Sequence, residues 1–321
     1  MRQKALQAKL LNRHYINIYL LVMAGYIFSA GQIFATTGGI IGILSPRITY
    51  DGRPVLWQNL ESDDPSVQVT FFQGPRYHFL GLVNAGDTTR VYAGLNTAGF
   101  GIVLAKAKVS ASDSLYDQEA LFLKEALGWC GTLQDFEERL ASANLEFSES
   151  SSFACIDAFD GQALYEAGRH RFDPFHPVLS PEGFLVRCNF IFSGTQYADW
   201  DFWRYHRARE LLNLERKNHG IHFTSMIKTV ARDLASISLN PYPLPYNGPE
   251  ENSNYVNARV CLNKHNTVSS VIIHGIRQGE DAHFSTMWVL LGEPICGVAV
   301  PLWPIVSTIP YECAKENPPL N

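Results

Sequence analysis

Short apolar runs alternate with turn residues along most of this chain, the pattern of antiparallel strands joined by tight connections. An apolar strand within the run 38–46, an Asp51-Gly52 turn and a second strand ending in Trp57-Gln58-Asn59 predict a hairpin. Further strands are predicted over Val67–Phe72, Tyr77–Val83, Val91–Leu95 and Phe100–Ala105, each bounded by Gly, Asn or Asp. Helical spacing takes over at Asp117–Trp129, where the apolar residues Ala120, Leu121, Leu123, Leu127 and Trp129 are roughly helical in spacing. Thr132 with Asp135 three positions on reads as the cap of a second helix. Strands return at Ser152–Asp157 and Ala163–Glu166 about an Asp160-Gly161 turn. Trp203–Leu214 and Ser225–Ser236 are predicted helices, and Pro-rich Asn240–Pro249 a loop positioned to overhang a pocket. Strands over Ser269–Ile276, Met287–Leu291 and Gly297–Pro301 close the pattern. Hairpins with helices gathered between them specify an α+β chain, compatible with two sheets between helical layers.

The first 35 residues stand apart. Arg2, Lys4, Lys9 and Arg13 form a basic start without an acid, followed by an apolar stretch from Tyr15 to Ala30 and small residues at Ser29, Ala30 and Ala35. A segment of this kind is either a cleaved secretory signal or a retained membrane anchor, and in both cases the body, 36–321, is expected to be exported, periplasmic or secreted. The formal charge of −5 becomes −9 without this leader, because its four basic residues come with no acid. A mildly acidic body argues against nucleic acid as a partner. Six cysteines, Cys130, Cys155, Cys188, Cys261, Cys296 and Cys313, are widely spaced, with no CxxC or Cys/His cluster for zinc. Most lie in apolar runs and are expected as buried thiols, with room for one disulfide in an exported protein.

The hairpin from Gly38-Gly39-Ile40-Ile41-Gly42 to Trp57-Gln58-Asn59 resembles the opening of N-terminal-nucleophile amide hydrolases, in the branch of isopenicillin N acyltransferase and the choloylglycine (bile-salt) hydrolases. Other segments resemble the same pattern in the same order. They are Tyr92-Ala93-Gly94-Leu95-Asn96-Thr97-Ala98-Gly99-Phe100, Ser152-Phe153 through Asp157-Ala158, Arg187-Cys188-Asn189-Phe190, Arg204-Tyr205-His206-Arg207-Ala208, Gly292-Glu293-Pro294 and Val300-Pro301-Leu302-Trp303. The resemblance implies a four-layer αββα sandwich of two antiparallel sheets. It also implies cleavage or transfer of a linear amide without metal or organic cofactor, on a small acylated amine or peptide-like substrate.

That chemistry depends on a cysteine at the chain terminus, whose own α-amine serves as local base because it titrates near neutrality beside the thiol. Counting back from Asp51 places Gly39 at the cysteine position, and glycine has no atom that can be activated. By the same resemblance Asn96 is the amide that donates to the oxyanion, Asn189 a second polar group, and Glu61 the acid orienting the terminal amine. Each also has a structural reading: Asn96 as a turn residue, Asn189 as a satisfied buried amide, Glu61 as a loop acid. The basic residue that relatives carry at position 58 or 60 is missing, and the C-terminal arginine before Thr267-Val268-Ser269-Ser270 is either Lys264 or absent. Cleavage after Ala35 would expose Thr36, an alternative nucleophile three residues out of register. A nucleophile-deficient homologue is therefore expected, against an active amidase that uses Thr36 or in which Gly39 replaces a native cysteine.

Overall fold

In the computed structural model, the described residues are 38–106, 118–143, 151–168, 171–189, 199–218, 220–237, 239–246 and 256–314. Thr36, the leader and the end of the Pro-rich loop lie outside them. Among the described residues, thirteen strands form two antiparallel sheets. Strands β1 (Gly38–Leu44) and β2 (Val55–Glu61) build one sheet with four later strands, whereas β3 (Val67–Gln73), β4 (His78–Asn84), β5 (Ala93–Asn96), β6 (Gly101–Lys106), β7 (Ser151–Ile156), β8 (Gln162–Gly168) and β9 (Arg171–Phe175) make the other in sequence order. The first sheet is completed by β10 (Phe184–Arg187), β11 (Thr267–His274), β12 (Thr286–Leu291) and β13 (Val300–Leu302), in the order β10-β1-β2-β11-β12-β13.

Period-two alternation assigns the faces. Ile41, Ile43 and Leu56 on the first sheet pack with Val103, Phe153 and Leu164 of the second, forming the inner core. Their neighbours Ile40, Leu44, Val55 and Trp57 point the other way, onto Ala208 and Leu212 of helix α3 (Asp199–Lys217). Helices α1 (Gln118–Trp129) and α2 (Leu133–Ser142) lie with the second sheet, and α1 comes so close to β5 that a Cβ on Gly94 would collide with the Leu127 side chain. Helix, sheet, sheet, helix is the layer order that this hydrophobic pattern requires. Polar ties cross between the sheets as well. Gln58 Nε2 donates to the carbonyls of Tyr92 (3.0 Å) and Leu104 (2.6 Å), and Arg187 Nε pairs with Glu166 Oε1 at 2.5 Å.

Most expected elements are present, and Thr132 caps α2 with a reciprocal Asp135 bond, as its spacing predicts. Three expectations need correction. The helix expected at Ser225–Ser236 stops at a π-turn, Met226–Val230, because the Asn59 amide takes the Ala231 carbonyl (2.9 Å) and the Tyr242 hydroxyl takes the Leu234 N–H (2.9 Å). Those bonds satisfy the backbone sideways and leave no ladder to extend. Strand β9 is absent from the sequence reading because Pro174 and its polar neighbours mask it; as the last strand of its sheet it tolerates a proline. The disulfide is also absent: all six cysteines are free thiols, five of them buried and Cys296 exposed.

Candidate active site

The register of β1, β2 and β11 assembles a polar row at one end of the first sheet. Gly38 stands opposite Glu61, and Glu61 opposite Thr267, with a bulge between Thr267 and Ser269. Residues directly opposite one another in neighbouring strands share a face. Gly38, Glu61 and Thr267 therefore face the α3 side, in the same rows of alternation as Ile40 and Trp57. Two segments cover them. Asn189 follows β10, and α3 presents Asp201 and Arg204, three apart and so on one helical face.

The contacts form one closed cluster. Arg204, 1% exposed, pairs through Nη2 with Glu61 Oε1 and through Nη1 with Asp201 Oδ1 (3.0 Å), while its Nε donates to the Cys261 carbonyl (3.0 Å). Lys264 Nζ reaches Glu61 Oε2 at 3.1 Å. The Asn189 amide donates to Asp201 Oδ1 (3.3 Å) and more distantly to Glu61 Oε2 (3.5 Å), and its Oδ1 accepts the Gly39 backbone N–H at 2.6 Å. Burial by itself would raise the Glu61 carboxyl, but Arg204 and then Lys264 hold it below its ordinary value. Burial likewise opposes the Arg204 charge, and Glu61 and Asp201 with the other negative groups around it together outweigh that cost, raising the group. Two carboxylates and two cations leave the cluster without net charge, the condition under which buried ions persist.

This arrangement fixes a pH dependence. A carboxyl whose pKa is lower in the folded than in the unfolded chain binds fewer protons when folded. Its contribution to stability is complete above about 4.5, the ordinary value, and is lost as the pH falls through the lower folded value. Urea unfolding across the acid range should show stability declining in that window, and Glu61→Gln should flatten the decline.

The structure brings Gly39, Glu61 and Asn189 together and leaves Asn96 out. Asn96, at the end of β5 in the second sheet, donates its amide hydrogens to the carbonyls of Leu127 (2.9 Å) and Cys130 (2.7 Å). Its Oδ1 accepts from Ala98 N and Phe100 N, both at 3.0 Å. Every polar atom of that side chain is used in closing the β5–β6 turn and tying α1 to it, so Asn96 holds the fold and does not aim a donor at the cluster.

Gly39 requires a second correction. It joins the cluster through its backbone N–H only. Its φ of +153° is a conformation that L residues rarely adopt, and a Cβ there would be driven into the backbone carbonyl oxygen of Asn59. A Cβ on Gly38 would instead stand 2.8 Å from Asn189 Oδ1, on the Glu61 face. The side-chain position that looks into this site is 38.

No family model and no curated protein matches the sequence. Solved structures do. The conjugated bile acid hydrolase of Clostridium perfringens superposes with a TM-score of 0.50 at 13% identity, over 82% of this chain and 92% of that one. This chain has the N-terminal-nucleophile hydrolase fold. An N-acylethanolamine-hydrolyzing acid amidase ortholog of Caenorhabditis elegans aligns at 16% identity over 78% of this chain and 99% of that chain, with a TM-score of 0.48. The penicillin V acylase of Agrobacterium tumefaciens aligns at 14% over 82% and 85%, with a TM-score of 0.45.

Within this N-terminal-nucleophile fold, Asp201 and Arg204 are members of the cluster to which sequence reasoning assigned no role, and Lys264 was one of two readings for the C-terminal basic residue. Arg204 lay in a segment that resembled the family, but nothing in the sequence says that its guanidinium ends on Glu61. Position 58, one of the two noted as lacking a basic residue, carries a neutral amide spent on tying the two sheets. The cysteine next to the cluster, Cys188, is buried in the apolar layer beneath α3, and burial raises its thiol far above its ordinary value. Cys261 is pushed up to about 12 by burial. Neither is poised as a thiolate nucleophile. Among the described residues no group of His, Cys, Asp or Glu is arranged to hold a metal ion.

Proposed function

We propose that this protein is an exported, nucleophile-deficient relative of linear amide hydrolases, and that it binds an acylated amine or peptide-like amide at the Glu61–Asn189 end of β1 without cleaving it. The observation that carries this reading is the pair Gly38-Gly39: the position facing the polar cluster has no side chain, and its neighbour adopts a conformation that excludes one. Glu61 adds support, because Arg204 and Lys264 engage its two oxygens and neutralise an acid that would otherwise orient a terminal amine. The Asn189 side chain, held between Asp201 and Gly39, fixes the wall that a ligand would meet beside position 38. The basic leader, read as a signal or anchor, motivates the placement outside the cytoplasm.

Calorimetric titration of the purified mature protein with a panel of N-acyl amines, acyl amino acids and penicillins, followed by chromatography of each mixture, tests the reading. Saturable binding of at least one class, with the amide recovered intact and affinity reduced in Asn189→Ala, is expected. Binding that Asn189→Ala leaves unchanged, or recovery of cleaved amine, would overturn it.

A further inference from the structure

A cavity lies at the end of β1 and α3 away from the Glu61 cluster. Its volume is about 540 Å³, and Arg47, Arg216 and Lys217 line it together with Ile48, Thr49 and Pro181. Arg47 follows β1 in the connection to β2, whereas Arg216 and Lys217 form the last turn of α3. Twelve residues of helix separate Arg204 from Arg216, about 18 Å at 1.5 Å per residue, so this cavity is distinct from the Glu61 cluster.

The cations are held in place by backbone. Ile221 N donates to the Ile48 carbonyl (2.8 Å) and Tyr50 N to the Ile221 carbonyl (3.0 Å), which clips the β1–β2 connection to the chain leaving α3. Arg47 Nη2 donates to the Ser180 carbonyl at 2.6 Å and Arg216 Nη1 to the Glu182 carbonyl at 3.1 Å. Each guanidinium is thus oriented by a carbonyl, and neither forms a close ion pair with a carboxylate. The Glu182 carboxylate, the acid beside them, is engaged by Arg209 (2.5 Å) and Asn213 (3.1 Å), although Arg216 also helps to hold it ionised.

Many arginines elsewhere in this chain pair with carboxylates: Arg53 with Glu280, Arg90 with Asp87, Arg139 with Glu125, Arg187 with Glu166 and Arg207 with Asp233, whereas Arg232 is held by the Gly297 carbonyl. Among the described residues, Arg47, Arg216 and Lys217 have no such partner. The helix C-terminus offsets only about half a charge. The cavity therefore keeps an excess of positive charge that the fold does not neutralise.

We propose that this cavity is a binding site for a small organic phosphate, its dianionic group held by Arg47, Arg216 and Lys217 and its organic part resting on Ile48 and Pro181. Arginine forks suit phosphate oxygens in bidentate geometry, and three cations match a dianion better than a single carboxylate. The volume exceeds that of the phosphate group and falls within the range of ligand pockets. The assignment is independent of any role for the Glu61 cluster.

Inorganic phosphate and pyrophosphate, titrated by calorimetry into the full-length protein at constant ionic strength, test the proposal, with chloride and acetate as controls. Saturable binding of the phosphates is expected, weakened at least tenfold by the double substitution Arg47→Gln and Arg216→Gln and also weakened by Lys217→Gln alone, with urea unfolding midpoints unchanged. Arg76→Gln, distant in sequence and exposed, should bind as the parent does. Absence of saturable binding, equal affinity in the double variant, or acetate binding as tightly as phosphate would overturn it.

Discussion

Replacing Arg204 with methionine should lower the stability of this protein by about 3–5 kcal/mol, the cost of leaving a buried carboxylate without its partner. Arg204 and the Glu61 side chain are each 1% exposed, and the guanidinium also holds Asp201 and the Cys261 carbonyl. Lys264 continues to neutralise part of the charge, so the loss falls in this range and short of complete unfolding. Adding Glu61→Gln to Arg204→Met should recover a large share, because it removes the stranded charge. Urea unfolding of the two single variants and the double variant measures the coupling. Strict additivity would mean that the two residues do not act as a pair.

Cysteine substitutions at the two neighbouring glycines should behave differently. Gly39→Cys combines a backbone conformation foreign to L residues with a collision against the Asn59 carbonyl, and strain plus overpacking together amount to roughly 2–6 kcal/mol. At Gly38→Cys the new atoms meet the Asn189 side-chain amide, which can shift, so the cost is about 1 kcal/mol, at the low end of overpacking. Comparison of their unfolding midpoints decides between the positions. Equal stability would refute the assignment of 38 as the position that faces the cluster.

The sequence made the strands legible wherever alternation and turns agree. The hairpin ending in Trp57-Gln58-Asn59 is one case, and the strands flanking Asp160-Gly161 another. It did not show where helix backbone would be satisfied by tertiary bonds: nothing in residues 225–236 announces that the Asn59 amide will claim the Ala231 carbonyl. The site was legible in part. Glu61 and Asn189 do meet, from segments far apart in sequence. Asn96 and Gly39 could not be placed by counting, because a turn asparagine and an oxyanion donor look alike in sequence, and a one-residue offset in a strand exchanges the two faces. The pairing of Arg204 and Lys264 with one carboxylate is a property of packing α3 onto the sheet, invisible to local patterns.

The most direct test of the central claim, that this N-terminal-nucleophile fold keeps a site whose nucleophile position is empty, is amide hydrolysis by two proteins in parallel. One is the unmodified mature protein, with its N-terminus sequenced; the other is a chain that begins with the Gly38→Cys substitution. The account predicts no turnover of acylated amines or penicillins by the unmodified protein, and hydrolysis only in the cysteine-bearing chain. Turnover by the unmodified protein, above all with Thr36 at its terminus, would contradict it.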